Sequence, residues 1–151
     1  MKKHLLLFAF AIVAVLAFVG CEADPSSSNW LKRTNWEADV NGKECEGFAS
    51  GTIREGGVRI SFSGNGYTMF YDFSVGKRVS SGKVISESFP DYNDAELYLP
   101  FDYVDETGQK QQIISTGKIS ADHKTIHFDS LIIDNSPERG MTFIKDVNFV
   151  R

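Results

Sequence analysis

Few side chains in this 151-residue chain could do chemistry by type and spacing, and each has a plainer role beside it. Cys45 is a candidate nucleophile, but a thiol attacks as its thiolate and needs a cation or an imidazole nearby. No His or basic cluster adjoins it, so it reads as a small apolar residue filling a strand face. His123 and His127 are four residues apart, and on a strand that spacing separates their Cα atoms by about 13 Å, too far for one metal. His123 reads as a turn residue and His127 as the solvent side of a strand carrying Ile126 and Phe128. Asp102, Asp105 and Glu106 could offer oxygens to calcium, yet they lack the Gly-punctuated spacing of a calcium loop and read as a solvated turn. No metal site is expected. Lys145 falls between Phe143 and Val147, on what alternation makes an apolar face. A buried ammonium is costly unless paired, so Lys145 is a candidate contact for a ligand carboxylate. The commoner outcomes are a bulge that shifts the phase of the strand, or a side chain that snorkels to the rim.

Catalytic constellations are missing from the pattern. There is no Gly-x-Ser-x-Gly elbow, no Gly-rich phosphate loop opening a helix and no Cys–His pair suggested by context. Acidic pairs are numerous, but on a β surface their separation cannot be read from sequence. The expectation is a protein without a cofactor that is not an enzyme.

Location is more legible than chemistry. Met1-Lys2-Lys3-His4 is basic, and Leu5 to Val19 runs without a polar residue, which is the layout of an export signal. Fifteen residues rise only about 22 Å as a helix, short of the roughly 30 Å hydrocarbon core, so the segment is one to be removed. Its end, Phe18-Val19-Gly20-Cys21, resembles the lipobox of bacterial lipoproteins. That resemblance implies cleavage after residue 20 and a diacylglycerol on the Cys21 thiol, with the new amino group often acylated too. Several acyl chains, at about 0.8 kcal/mol per buried CH₂, give stable anchoring. The protein is therefore expected outside the cytoplasm, on a bacterial membrane and most readily the outer one.

Removal of Lys2 and Lys3 with residues 1–20 leaves 14 basic against 20 acidic side chains, a net charge of −6. An acidic surface gives no support to nucleic-acid binding, which wants a clustered basic face. With Cys21 lipidated, Cys45 is left alone and no internal disulfide can form. Residues 22–29 are polar, without periodicity, and read as a tether. Residues 30–151 read as one domain of ordinary size.

Within that domain every strong signal has period two. Trp36 to Val40 alternates and meets Asn41-Gly42, a dipeptide suited to a tight hairpin, so Lys43 to Arg54 should return antiparallel. Val58, Ile60 and Phe62 alternate up to a second such dipeptide, Asn65-Gly66. Tyr67, Met69, Tyr71 and Phe73 then share one face. Arg78–Phe89 reads as a strand interrupted by Gly82. Leu97, Leu99, Phe101 and Tyr103 form another stripe, with Pro100 opposite as the mark of an edge or a bulge. Three further strands follow, over Gln111–Ser120, Thr125–Asp134 and Met141–Val150. Eight or nine strands joined by hairpins leave a closed up-and-down barrel or a two-sheet sandwich.

Leu31-Lys32-Arg33-Thr34-Asn35-Trp36 resembles the opening of small lipocalin-like domains. Ile60 to Met69, Thr116 to Ser120 and Met141-Thr142-Phe143 resemble the spacing of calycin-like lipoproteins from gut bacteria of the Bacteroides type. The first hairpin, Trp36 to Lys43, is also similar to that of small β-sandwich lipoproteins from similar bacteria. The fold favoured is all-β, an antiparallel meander closing into a lipocalin/calycin-like barrel of about eight strands, with the two-sheet sandwich as the alternative. A barrel interior lined by Tyr67, Met69, Tyr71, Phe73, Leu97, Leu99, Phe101 and Tyr103, with Lys145, would suit a small hydrophobic or amphipathic ligand. A packed core uses much the same residues. The second function expected is an interaction lipoprotein whose loops meet another protein or a glycan.

Overall fold

Alternation becomes strands because a pleated chain sends successive side chains to opposite faces, and burying one face holds the phase. The computed structural model describes residues 29–47, 50–136 and 139–151. The expected signal peptide, Cys21 and the tether through Ser28 lie outside the described residues. Asn29–Leu31 form a single 3-10 turn. The strands are β1 (Asn35–Asp39), β2 (Glu44–Glu46), β3 (Gly51–Phe62), β4 (Tyr67–Val75), β5 (Arg78–Ser86), β6 (Asp91–Tyr92), β7 (Glu96–Val104), β8 (Lys110–Ile119), β9 (Thr125–Ser136) and β10 (Gly140–Val150). All pairings are antiparallel. The order is β5-β4-β3-β1-β10-β9-β8-β7-β6, with β2 also lying between β3 and β10. Apart from the 3-10 turn, the described residues are all-β and barrel-forming.

The two Asn-Gly dipeptides behave differently. Asn65-Gly66 reverses the chain: Phe62 pairs with Tyr67 across it, and the Ser63 hydroxyl accepts hydrogen bonds from the N–H groups of Asn65 and Gly66. Asn41-Gly42 does not reverse it, contrary to the sequence expectation. In β1, Asn35 lies opposite Ser61 and Asp39 opposite Gly57; in β2, Glu44 lies opposite Thr52 and Cys45 opposite Gly51. Both stretches keep one register against β3, so they are a single strand interrupted by a turn at Val40–Lys43. Gly42 takes a φ of +74° there, Lys43 N–H donates to Val40 O at 3.1 Å, and the Asn41 carboxamide oxygen accepts from Gly56 N–H at 2.8 Å. A closed ring of pairings, β1–β3–β2–β10, results because this one strand is bonded on both sides. The antiparallel partner that follows is β3, which pairs with β2 through Glu44 and Cys45.

The interior is built from the stripes. Trp36, Ile60, Met69, Phe73, Leu97, Ile126, Phe128, Leu131, Ile133 and Phe149 are fully buried, each such side chain contributing about 1.5–3 kcal/mol against exposure. Phe128 and Phe149 meet edge to face at 5.8 Å. Gly117 is required here, because a Cβ on it would lie 2.7 Å from the Phe128 ring. The Trp36 indole N–H donates to Thr34 Oγ1 at 2.8 Å inside the core. Side chains of β4 and β5 reach β7 across the closure: the Tyr67 hydroxyl of β4 donates to Pro100 O, and Ser86 Oγ of β5 lies 3.4 Å from Asp102 Oδ2. Pro100 sits in the free part of the edge strand β7, as its missing donor requires.

Candidate binding groove on the outer sheet face

The structure brings Tyr67, Met69, Tyr71, Phe73, Leu97, Leu99 and Phe101 together in the interior, all buried, with Tyr103 half-buried. These side chains are engaged with one another and with the backbone. Phe62 and Tyr67 pack at 6.3 Å and Tyr71 and Phe73 at 6.0 Å between ring centres. The Tyr71 hydroxyl covers Gly82, where a Cβ would stand 2.4 Å from it. Burial raises the pKa of both tyrosines, helped at Tyr67 by Asp102 and at Tyr71 by Asp134, the latter opposed by Arg139. The two hydroxyls therefore stay neutral.

Lys145 is a correction. It lies on the outer face, where its ammonium pairs with the Glu46 carboxylate and stands 6.0 Å from the centre of the Phe143 ring. The cause is Asp146, whose φ of +54° breaks the alternation of β10: Thr142, Ile144, Val147 and Phe149 point inward, and Lys145 and Asp146 both face solvent. The phase-shifting irregularity expected as the commoner outcome is the one present.

Cys45 is buried, and its thiol is pushed up to about 11 by burial first and by Glu44 and Glu46 second. It is a packing residue with no thiolate at neutral pH. His123 occupies the turn after Ser120, donating its N–H to Ser120 O. His127 faces outward beside Asp129 and Asn148. Asp105 organises its own turn by accepting from Thr107, Gln109 and Gln111, which holds its carboxyl at about 2. Among the described residues no group of three or more His, Cys, Asp or Glu side chains could hold a metal, and no helix is long and apolar enough to cross a membrane.

A concavity of about 960 Å³ lies over the outer face of β1, β3, β4 and β5. Its floor is a cross-strand row in which Asp39 of β1, Gly57 of β3, Asp72 of β4 and Ser81 of β5 stand side by side. Gly57 places no side chain there, and the Cα atoms of Asp39 and Asp72 flank it about 10 Å apart, two strand spacings. The row on one side is Glu37, Arg59 and Phe70, with Arg59 Nη2 2.7 Å from Glu37 Oε1 and Lys83 Nζ 5.4 Å from the Phe70 ring centre at the rim. The row on the other side carries Glu55, Ser74 and Val79. Asp39, Glu55 and Asp72 have no ion-pair partner among the described residues. Phe70 is 45% and Val79 75% exposed.

Sequence reading misses this groove, since Asp39 and Asp72 fall on the polar half of their alternations and Glu55-Gly56-Gly57 reads as a turn, whereas β3 runs straight through it from Gly51 to Phe62. Phe70 was the available signal: an aromatic residue on the polar face of β4, out of phase with the Met69–Tyr71–Phe73 side. No protein-family model, curated protein or solved structure matches the chain.

Proposed function

We propose that the chain is an extracytoplasmic binding protein, held to a bacterial membrane by lipid on Cys21, that takes an amphipathic cation in the groove over β1, β3, β4 and β5. The observation that carries this reading is the coincidence, in one concavity, of unmatched carboxylates at Asp39, Glu55 and Asp72 with the exposed apolar surfaces of Phe70 and Val79. An ammonium or guanidinium group fits between Asp39 and Asp72 over Gly57, where each charge-assisted hydrogen bond is about twice as strong as a neutral one. An apolar body beside that cation covers Phe70 and Val79. The interior stripes then form the core that keeps the sheet curved, and the Tyr67 hydroxyl is already engaged by Pro100 O.

Titration of the ¹⁵N-labelled protein with phenethylammonium, and with a neutral phenethyl alcohol control, tests the ligand site. Amide shifts at Gly57, Phe70 and Asp72 with the cation alone are the expected result. Shifts centred on Tyr67, Leu99 and Phe101 would move the site to the barrel interior. Loss of palmitate incorporation and of membrane association in Cys21→Ser tests the anchor; retention of both would remove it.

A further inference from the structure

We infer, building on Asp39 and Asp72 as a cation site, that the groove selects a zwitterion of dipeptide length, with its ammonium over Gly57 and its carboxylate at Arg59 and Lys83. Two adjacent cross-strand rows set the poles. In one, Asp39, Gly57, Asp72 and Ser81 stand side by side. In the other, two residues along every strand, stand Glu37, Arg59, Phe70 and Lys83. The first row holds two carboxylates around a glycine, and the second holds two cations around an aromatic ring. Beyond the second row, Asn35, Ser61, Thr68 and Ile85 carry no charge. Beyond the first, Glu55 adds a further carboxylate opposite Ser74. The unmatched charge is therefore negative at one end of the groove and positive at the other.

The two poles are not spent on each other. Among the described residues Asp39, Asp72 and Lys83 have no ion-pair partner, and Arg59 pairs only with Glu37. Lys83 stands at the rim over the Phe70 ring. Glu37 takes one edge of the Arg59 guanidinium: Nε donates to Oε1 at 2.8 Å, and Nη2 lies 2.7 Å from the same oxygen. The Nη1/Nη2 edge, which can grip a second carboxylate bidentately, has no protein partner among the described residues. Glu37 thus holds the guanidinium in place without filling it.

Spacing selects the length of the ligand. Rows two residues apart along a strand are separated by about 7 Å. An extended dipeptide spans about 7 Å and a single amino acid about 3.5 Å. An amino acid held by its ammonium would leave its own carboxylate against Asp39 and Asp72, where like charge repels it. A dipeptide carries that carboxylate on to the cations, and an apolar first side chain covers the exposed ring of Phe70.

Calorimetric titration of the full chain in a mild non-ionic detergent compares phenylalanyl-alanine, its C-terminal amide, phenylalanine and phenethylammonium. The dipeptide should bind at least about tenfold more tightly than its amide, as a charge-assisted contact requires. Phenylalanine should bind no more tightly than phenethylammonium. Arg59→Gln with Lys83→Gln should erase the advantage of the dipeptide over its amide and leave phenethylammonium bound at least as tightly, whereas Lys118→Gln should change neither. The ¹⁵N amide spectrum confirms that each variant keeps its fold. Equal affinity for the dipeptide and its amide, or an advantage that survives in the double variant, would overturn the zwitterion while phenethylammonium binding upheld the groove. Failure of every cation to bind would overturn both.

Discussion

Two flanks of the outer surface are made by the same alternation and treat charge in opposite ways. Over β9 and β10 each carboxylate is matched: Lys118 Nζ lies 3.0 Å from Asp129 Oδ2, His127 Nε2 3.0 Å from Asp129 Oδ1, and Lys43 Nζ 2.5 Å from Asp146 Oδ2. Lys145 is matched to Glu46. Over β1, β3, β4 and β5, Asp39, Glu55 and Asp72 have no ion-pair partner among the described residues and surround a floor lowered by Gly57. The first surface is neutralised locally and offers little attraction to a third party. The second keeps an attraction for any cation that can also cover Phe70.

The largest expected effect breaks the floor itself. Gly56 holds a φ of +148°, and a Cβ there would stand 2.4 Å from Phe73 Cα and 2.3 Å from Asp72 O. Gly56→Val should cost about 3 kcal/mol or more in urea unfolding, through strain and overpacking together. Asp129→Asn on the matched flank should leave the urea midpoint within error. Next in size is ligand affinity. Asp39→Asn with Asp72→Asn should weaken phenethylammonium binding about tenfold, or about 1.4 kcal/mol, while Asp129→Asn leaves it unchanged by calorimetry. Added salt should weaken binding to the native groove, as the screening of exposed charges requires.

Acid sharpens the contrast from the other side. Asp129 is held below the ordinary carboxylate value mainly by its hydrogen bonds from Lys118 and His127, and Asp146 mainly by Lys43. A carboxylate depressed in the folded state stabilises the fold above its unfolded pKa near 3.8 and loses that contribution as pH falls through the folded value. Protection factors of the β9 and β10 amides, in which the intrinsic pH dependence of exchange is divided out, should therefore fall as pH drops below 3.8, and the fall should be smaller in Asp129→Asn. The smallest effect concerns Cys45, at the junction of the two flanks. Its thiol, raised from 9.0 to about 11, should resist iodoacetamide at pH 8 until the protein unfolds. By the same linkage its neutral form stabilises the fold below pH 9, and that contribution fades as pH rises toward 11.

The stripe Tyr67, Met69, Tyr71, Phe73 was legible in the sequence because period two admits only one burial pattern when one face is apolar. Position along the chain also revealed the edge at Pro100, since a residue without a donor constrains its own place. The two Asn-Gly dipeptides were not separable by sequence. Each tolerates the turn backbone, but at Asn41-Gly42 the flanking segments both find partners on β3 and β10, and the longer ladder keeps the chain running straight. For Lys145 the sequence offered an inward ligand contact or, more commonly, a phase shift, and could not place the shift, because the phase of β10 turns on a left-handed backbone at Asp146. The groove was hidden for a third reason. Its row joins residues 39, 57, 72 and 81, and only the pairing registers bring them side by side.

The interrupted strand β1–β2 also sets the order of events in assembly. It is bonded on one side to β3, close in sequence, and on the other to β10, where Glu37 pairs with Val150 and Cys45 with Ile144. The second set of bonds joins residues 113 and 99 positions apart (150 − 37 and 144 − 45), so its loop closure comes late and slowly. Until β10 arrives, β1–β2 is an open edge and Trp36 and Cys45 lack part of their cover. A chain shortened by its last strand would expose that edge along its whole length, which makes it a substrate for proteases and for aggregation in place of a slightly weakened domain.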